Sequence, residues 1–167
     1  MLVARISVNP AVAREHGEEI VERLMRKMTA LMFEMASRIV GESIPEFFPH
    51  GAQKIAREIR AVPAELEGTN IVGQVLGGGE ETTKRTKKSG AIVDYARVQE
   101  LGAEGPWTIE PFPPRKALAF MVGGKMVVVR RVTHPGLEAR PYMRSELRNM
   151  ESKIIADLQA AASGTAL

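Results

Sequence analysis

The chain has 167 residues, 44% hydrophobic and 26% charged, which is enough length and apolar content for one ordinary globular domain with a real core. Aromatic residues make up only 5%, so that core must be aliphatic and methionine-rich, and a net charge of +3 is too small for a dedicated nucleic-acid binder. With no cysteine, disulfides and thiolate metal sites are excluded. The N-terminal sequence has no basic-then-apolar leader, and no stretch approaches the roughly 20 apolar residues of a membrane span. A soluble, cytoplasmically made chain that does not enter a membrane is expected.

Leu2 to Val8 reads as a short strand. Asn9-Pro10 is a suitable helix start, because Asn caps free amides and Pro fits the first turn. From there to about Val40 the apolar positions Val21, Leu24, Met25, Met28, Leu31, Met32, Met35 and Ile39 recur at steps of three and four. That spacing predicts one long amphipathic helix of about 45 Å. Gly41 is expected to end it, and Ser43 to Pro49 reads as an apolar loop. Gly51 to Ala61 resumes helical periodicity until Pro63, and Glu65 to Leu76 reads as one strand, weakened by Gly68 and Gly73.

Gly77 to Gly90 follows as a long, glycine-bracketed loop of about that span in which nothing is expected to enter a core. Its second half carries Lys84, Arg85, Lys87 and Lys88. One reading is a solvated connection; the other is an arm that reaches a neighbouring subunit or a nucleic-acid backbone. Ile92 to Leu101 fits a short helical turn with Tyr95, Val98 and Leu101 on one face, or a strand. Gly105-Pro106-Trp107 and Pro111 to Pro114 bracket an extended piece whose Trp107 and Phe112 are expected to cover a sheet edge.

Ala117 to Gly136 gives the strongest local signal in the chain. Two β-prone runs flank Gly123-Gly124, the composition of a two-residue primed hairpin turn. Leu118, Phe120 and Val122 share one side of the first arm; Met126, Val128, Arg130 and Val132 share one side of the second. His134-Pro135-Gly136 stops the strand. This hairpin is expected to be the centre that the other elements cover. Pro141 to about Ala162 then reads as a second amphipathic helix, with Met143, Leu147, Met150, Ile154, Leu158 and Ala161 on its stripe. No internal repeat is visible.

Together these elements predict a single α+β domain over residues 1–167. It comprises a small, mostly antiparallel sheet packed by a long N-terminal helix and a C-terminal helix, with a flexible loop near 77–90.

Chemistry finds little purchase in the sequence. His16, His50 and His134 lie far apart, and none is grouped with carboxylates at metal spacing. The glycine-rich loop lacks the ending of a phosphate-binding loop, and neither a nucleophile elbow nor a cysteine nucleophile occurs. No catalytic residue, cofactor or metal is expected. The basic residues of the loop, with Arg130, Arg131, Arg140, Arg144 and Arg148, are interleaved with few aromatics. They suit phosphate contact better than base reading.

The order Tyr95-Ala96-x-Val98-x-Glu100-x-Gly102, hairpin, His134-Pro135-Gly136, then Ala139-Arg140-Pro141-Tyr142-Met143 opening the last helix resembles the tail-completion and neck proteins of long-tailed bacteriophages. Chains like minor tail protein Z belong to that group. The resemblance covers roughly Ala91 to Leu158. Upstream, where relatives often carry Thr-Gly-x-Leu, this chain has Pro49-His50-Gly51-Ala52. The resemblance implies a virion structural protein rather than an enzyme, assembling as a homo-oligomeric ring, commonly six-fold, in the tail or neck. Its partners would be the tail tube, the terminator or the head connector, with non-specific DNA contact in the lumen. Lys84, Arg85, Lys87, Lys88, Arg130 and Arg131 are the candidate subunit or lumen contacts. Tyr95, Ala96, Glu100, Gly102, His134, Pro135, Gly136 and Pro141 are the structural motif. A tail terminator capping the tube, or a small DNA-binding accessory protein using the basic loop, are the alternatives.

Overall fold

A computed structural model of the chain describes residues 1–9, 17–86 and 90–164. The architecture is α+β, as the periodicities predict. β1 (Leu2–Val8), β2 (Arg60–Glu67) and β3 (Asn70–Gly77) form an antiparallel sheet in the order β1-β3-β2. The long helix α1 (Glu18–Arg38) packs on β2 and β3 with one side and on the C-terminal helix α5 (Tyr142–Ser163) with another. α1 opens at Glu18 after Gly17, whose φ of 97° is not helical. The expected start at Pro10 lies outside the described residues.

The core follows from the apolar stripe of α1. Leu24, Met28, Leu31, Met32, Met35 and Ile39 are all buried, with Met28, Met32 and Met35 fully so. They meet β3 through Ile71, Gly73 and Val75, and α5 through Met150, Ile154 and Leu158. Gly73 is required by this contact: a Cβ there would stand 2.7 Å from Met28 Cγ and 2.8 Å from Met32 Cγ. The glycine that weakens a strand assignment from sequence is the place where helix and sheet approach most closely. On the opposite sheet face the Arg5–Glu67 ion pair (2.5 Å) links the two edge strands. By register it passes over Val72 of the central strand, which is only 2% exposed.

Several boundaries differ from expectation. Gly41 does not end the first helix: Ile39–Ser43 form a π-helical turn and α2 (Ile44–Phe47) continues it, so the expected apolar loop is helical. The extra residue of a π turn rotates the following side chains, and it brings Ser43 and Ile44 into the core. The helix over 51–61 shrinks to α3 (Gln53–Arg57). The single expected strand at 65–76 is a hairpin, β2–β3, turning at Gly68 with φ 61°. Pro63 sits inside β2 without breaking it, because the register shifts between Val62 and Glu65. That bulge frees the Ala64 amide, which donates to Thr29 Oγ1 on α1 at 2.9 Å.

The expected loop at 77–90 is also partly structured. β4 (Thr83–Arg85) pairs with β5 (Ile92–Asp94), and α4 (Tyr95–Leu101) follows directly. Thr82 is 3% exposed, contrary to the expectation that nothing here enters a core.

The largest correction concerns the Ala117–Gly136 hairpin. It forms as predicted, with β7 (Leu118–Val122) and β8 (Lys125–Val129) joined at Gly123 (φ 56°) and Gly124 (φ 78°). It is not the centre of the fold. The pair stands as its own two-stranded sheet, with Met121, Val122, Met126 and Val128 between 55% and 70% exposed. β8 stops at Val129, so Arg130 and Val132 do not share a strand; β9 (Val132–His134) pairs instead with β6 (Trp107–Ile109). Trp107 stacks on His134 rather than covering the main sheet, and Phe112 is 51% exposed. Two isolated strands bury too little to nucleate a core; three strands under a helix do.

These placements separate two glycine sites. Gly73→Val is expected to cost about 1–3 kcal/mol by forcing the α1–β3 contact apart, read as a lowered Tm. Replacing Gly123-Gly124 by Val-Val strains the turn but should leave the main melting transition where it is, with faster amide exchange confined to β7–β8. A Val-Val chain that melts as early as Gly73→Val would return the hairpin to the core.

Candidate functional site

Most of the motif residues converge where α4 meets α5. Asp94 caps α4, its Oδ1 accepting from Ala96 N at 3.0 Å. On the helix so started, the buried positions are Ala96 and Glu100, four apart; Tyr95 and Leu101, expected to share a face with Val98, are about half exposed. The Glu100 carboxylate is 1% exposed and lies at the start of α5. It accepts from Met143 N (3.0 Å), Arg144 N (3.1 Å) and Arg144 Nε (3.1 Å), while Arg144 Nη2 donates to the Glu100 carbonyl at 2.7 Å. A carboxylate from another helix thus satisfies the orphan amides of α5, where the helix dipole also favours negative charge.

Gly102 (φ 75°) turns the chain away so closely that a Cβ would lie 2.7 Å from the Leu137 carbonyl oxygen. Arg140 N donates to Gln99 O at 2.7 Å, which brings Pro141 to the head of α5. Tyr142 is fully buried, edge-on to Phe48 at 5.9 Å, and burial holds its phenol well above the usual range.

His134, Pro135 and Gly136 form a second corner on the same ribbon. Ala103 and Leu137 exchange two backbone hydrogen bonds of 2.8 Å, and beyond them β6 pairs with β9. His134 stacks on Trp107 with centroids 4.6 Å apart, and its Nδ1 accepts from Gly136 N at 3.2 Å. These contacts give the histidine a conformational role.

The basic candidates fall in two places. Lys84 and Arg85 are exposed on β4, with Lys84 Nζ 5.8 Å from the centroid of the Tyr95 ring. Arg130 and Arg131 are exposed where β8 leaves for β9, a different sheet. Lys87 and Lys88 lie outside the described residues. A cleft of about 560 Å³ between α3 and α4 is lined by Phe48, His50, Lys54, Tyr95 and Gln99, and a smaller one of about 310 Å³ beside it is lined by Lys84, Lys54, Glu81 and Tyr95. Among the described residues no group of His, Asp or Glu side chains is placed to hold a metal ion. No helix among them is long and apolar enough to cross a membrane.

Sequence reasoning missed two polar clusters. Glu146, at a nominally polar position of α5, is 1% exposed and accepts from Arg38 Nε at 2.5 Å and Ser43 Oγ at 2.9 Å. It ties α5 to the π turn. Asp94 also gathers the Met1 amino group (2.8 Å) and Thr82 Oγ1 (3.0 Å). Burial alone would raise its pKa, but these donors outweigh burial and leave it below the usual carboxylate range. Glu100 stands in the motif named from the sequence, which does not signal its burial; the only sequence signal for Glu146 is a carboxylate three positions from the stripe residue Met143, which most surface glutamates share.

The fold and these contacts define an α+β protein whose last helix is fastened by buried carboxylates. No protein-family model, curated protein or solved structure matches the chain.

Two outcomes test the fastening. Glu100→Gln keeps the shape but turns an amide donor toward amide donors and strands Arg144, so a loss of about 2–3 kcal/mol in urea unfolding is expected. A loss under about 0.5 kcal/mol would reduce the cap to decoration. For Asp94 the folded pKa is depressed, so its contribution is complete above the unfolded value of about 3.9 and is lost as pH falls through the folded one. Asp94→Asn should therefore be less stable at neutral pH and decline less steeply below about pH 4 than the wild type.

Proposed function

We propose that the chain is a virion structural protein of a long-tailed bacteriophage, a tail-completion or neck subunit that joins tail to head connector. It acts by assembling into a homo-oligomeric ring, six-fold by family resemblance, and performs no catalysis. The observation that carries this reading is the β7–β8 hairpin, an apolar two-stranded arm held outside the core. Contiguous exposed apolar surface marks a contact site, and a ring subunit needs one. The motif order from Tyr95 to Met143 supports the family. Its residues are the ones that hold α4, the β6–β9 ribbon and α5 together, which is what a motif serving architecture requires.

Lys84, Arg85, Arg130 and Arg131 are exposed and fit weak contact with passing DNA or with acidic neighbours. On this reading the protein belongs to the tail or neck of the virion, and the tail tube, terminator or connector are its neighbours.

Negative-stain microscopy and sedimentation of the purified chain test the proposal. Closed rings with a central opening are expected, and added rings should restore head–tail joining in an extract lacking them. A chain that stays monomeric at every concentration, and binds DNA with a steep salt dependence lost in Lys84→Glu/Arg85→Glu, would replace this reading with a DNA-binding accessory role.

A further inference from the structure

The hairpin has two unlike faces. Leu118, Val127 and Val129 are half-buried on one, which also carries exposed Phe120 and Val122 and the polar Lys125. The other is made of Ala119 opposite Val128 and Met121 opposite Met126, all exposed and none polar. From Pro111 to Leu137 the chain carries Arg115, Lys116, Lys125, Arg130 and Arg131 and no carboxylate. The arm is an apolar plate with a basic rim.

A second exposed apolar feature lies elsewhere, on the outer side of α1. Ala30, Phe33 and Ser37 follow one another at steps of three and four along α1, and exposed Val40 stands just beyond them in the π turn. Phe33 is 54% and Val40 40% exposed. Small residues around one phenylalanine leave a shallow seat. Its surroundings are mildly acidic: Glu34 pairs with Lys153, Arg38 is shared between Glu42 and Glu146, and exposed Glu46 adds a further carboxylate. The nearby cations are already engaged, Lys27 with Asp157 and Arg38 with buried Glu146. The two features also match in length. Ala30 to Val40 spans about 15 Å at helical rise. A five-residue arm such as β7 spans about 17 Å.

We propose that the β7–β8 plate of one copy seats on the exposed stretch from Phe33 of α1 to Val40 of the π turn in the next copy. This rests on the assembly reading above and names its two surfaces. Charge sets the pairing: two hairpins face to face would oppose basic rims, and two α1 stripes would oppose acidic ones, whereas hairpin on stripe is complementary. The contact is therefore heterologous, and repeating it closes a ring or extends a filament. Seating also supplies the third layer that an isolated hairpin lacks.

The test uses Met126→Glu, which spoils the plate, and Phe33→Glu, which spoils the seat with a good helix former. Each is expected to fold as the wild type by circular dichroism and melting. Each should weaken self-association by about 30-fold or more, since a carboxylate would be buried at the centre of an apolar contact. Mixing the two variants leaves one intact plate and one intact seat per pair, so a heterodimer that grows no further is expected by sedimentation. Ala30→Glu serves where Phe33→Glu alters the fold. Rings that persist in Phe33→Glu and Ala30→Glu would overturn this contact while leaving the assembly reading standing. A wild type that never associates, with Met126-dependent binding to DNA or anionic vesicles instead, would overturn both.

Discussion

The fold depends on the close approach of α1 to the central strand at Gly73. Met28 and Met32 occupy the space where a side chain would otherwise stand, so the helix lies low on the sheet. With few aromatics available, unbranched methionines fill that space by adapting their torsions. Once α1 is fixed on one side by β2 and β3, its remaining apolar edge can be buried only by another helix, and α5 takes that place. The sheet, α1 and α5 therefore share one core, and neither hairpin β4–β5 nor β7–β8 is needed to build it.

Burial of α5 against α1 sets its plane but not its register, and the polar fastenings supply that. Glu100 holds the first turn, Glu146 holds the next to the π turn after α1, and Lys153 bridges to Glu34 further along. A buried carboxylate costs desolvation, which only several donors in good geometry offset. Here each glutamate has two or more protein donors, so sliding α5 by one turn would strand both charges. The Arg38–Glu146 pair also accounts for the π turn's position, because Ser43 must face the same carboxylate. Specific placement, more than raw stability, is what such groups contribute.

Around this rigid body the ribbon from Ala103 to Leu137 has a different character. It is tied at its base by the Ala103–Leu137 pair and at mid-length by β6–β9, and beyond that it carries an exposed plate. Low burial and solvent-facing backbone bonds place it at the low-stability end of the molecule. On the assembly reading that division is functional: the core fixes the position of the arm, and the arm gains its order from a neighbour.

The apolar stripes of α1 and α5, the β1 strand and the Gly123-Gly124 turn were legible in the sequence, because each is a local periodicity or a backbone requirement written in consecutive residues. The α+β class follows from them. Which apolar segment lies inside did not. The β7–β8 sequence is as hydrophobic as β3, yet β3 is buried because α1 covers it, and β7–β8 is exposed because nothing in the described chain does. The same reason hid the bulge that lets Pro63 stay in a strand, the π turn that carries the helix past Gly41, and the burial of Glu100 and Glu146. Each depends on a partner far away in sequence, Thr29 for Ala64, Arg38 for Glu146, and the first amides of α5 for Glu100. Local periodicity determined the long helices, the first strand and the Gly-Gly turn; only the tertiary structure decided the remaining elements and all of the partners, because burial is a property of two surfaces and a single segment contains one of them.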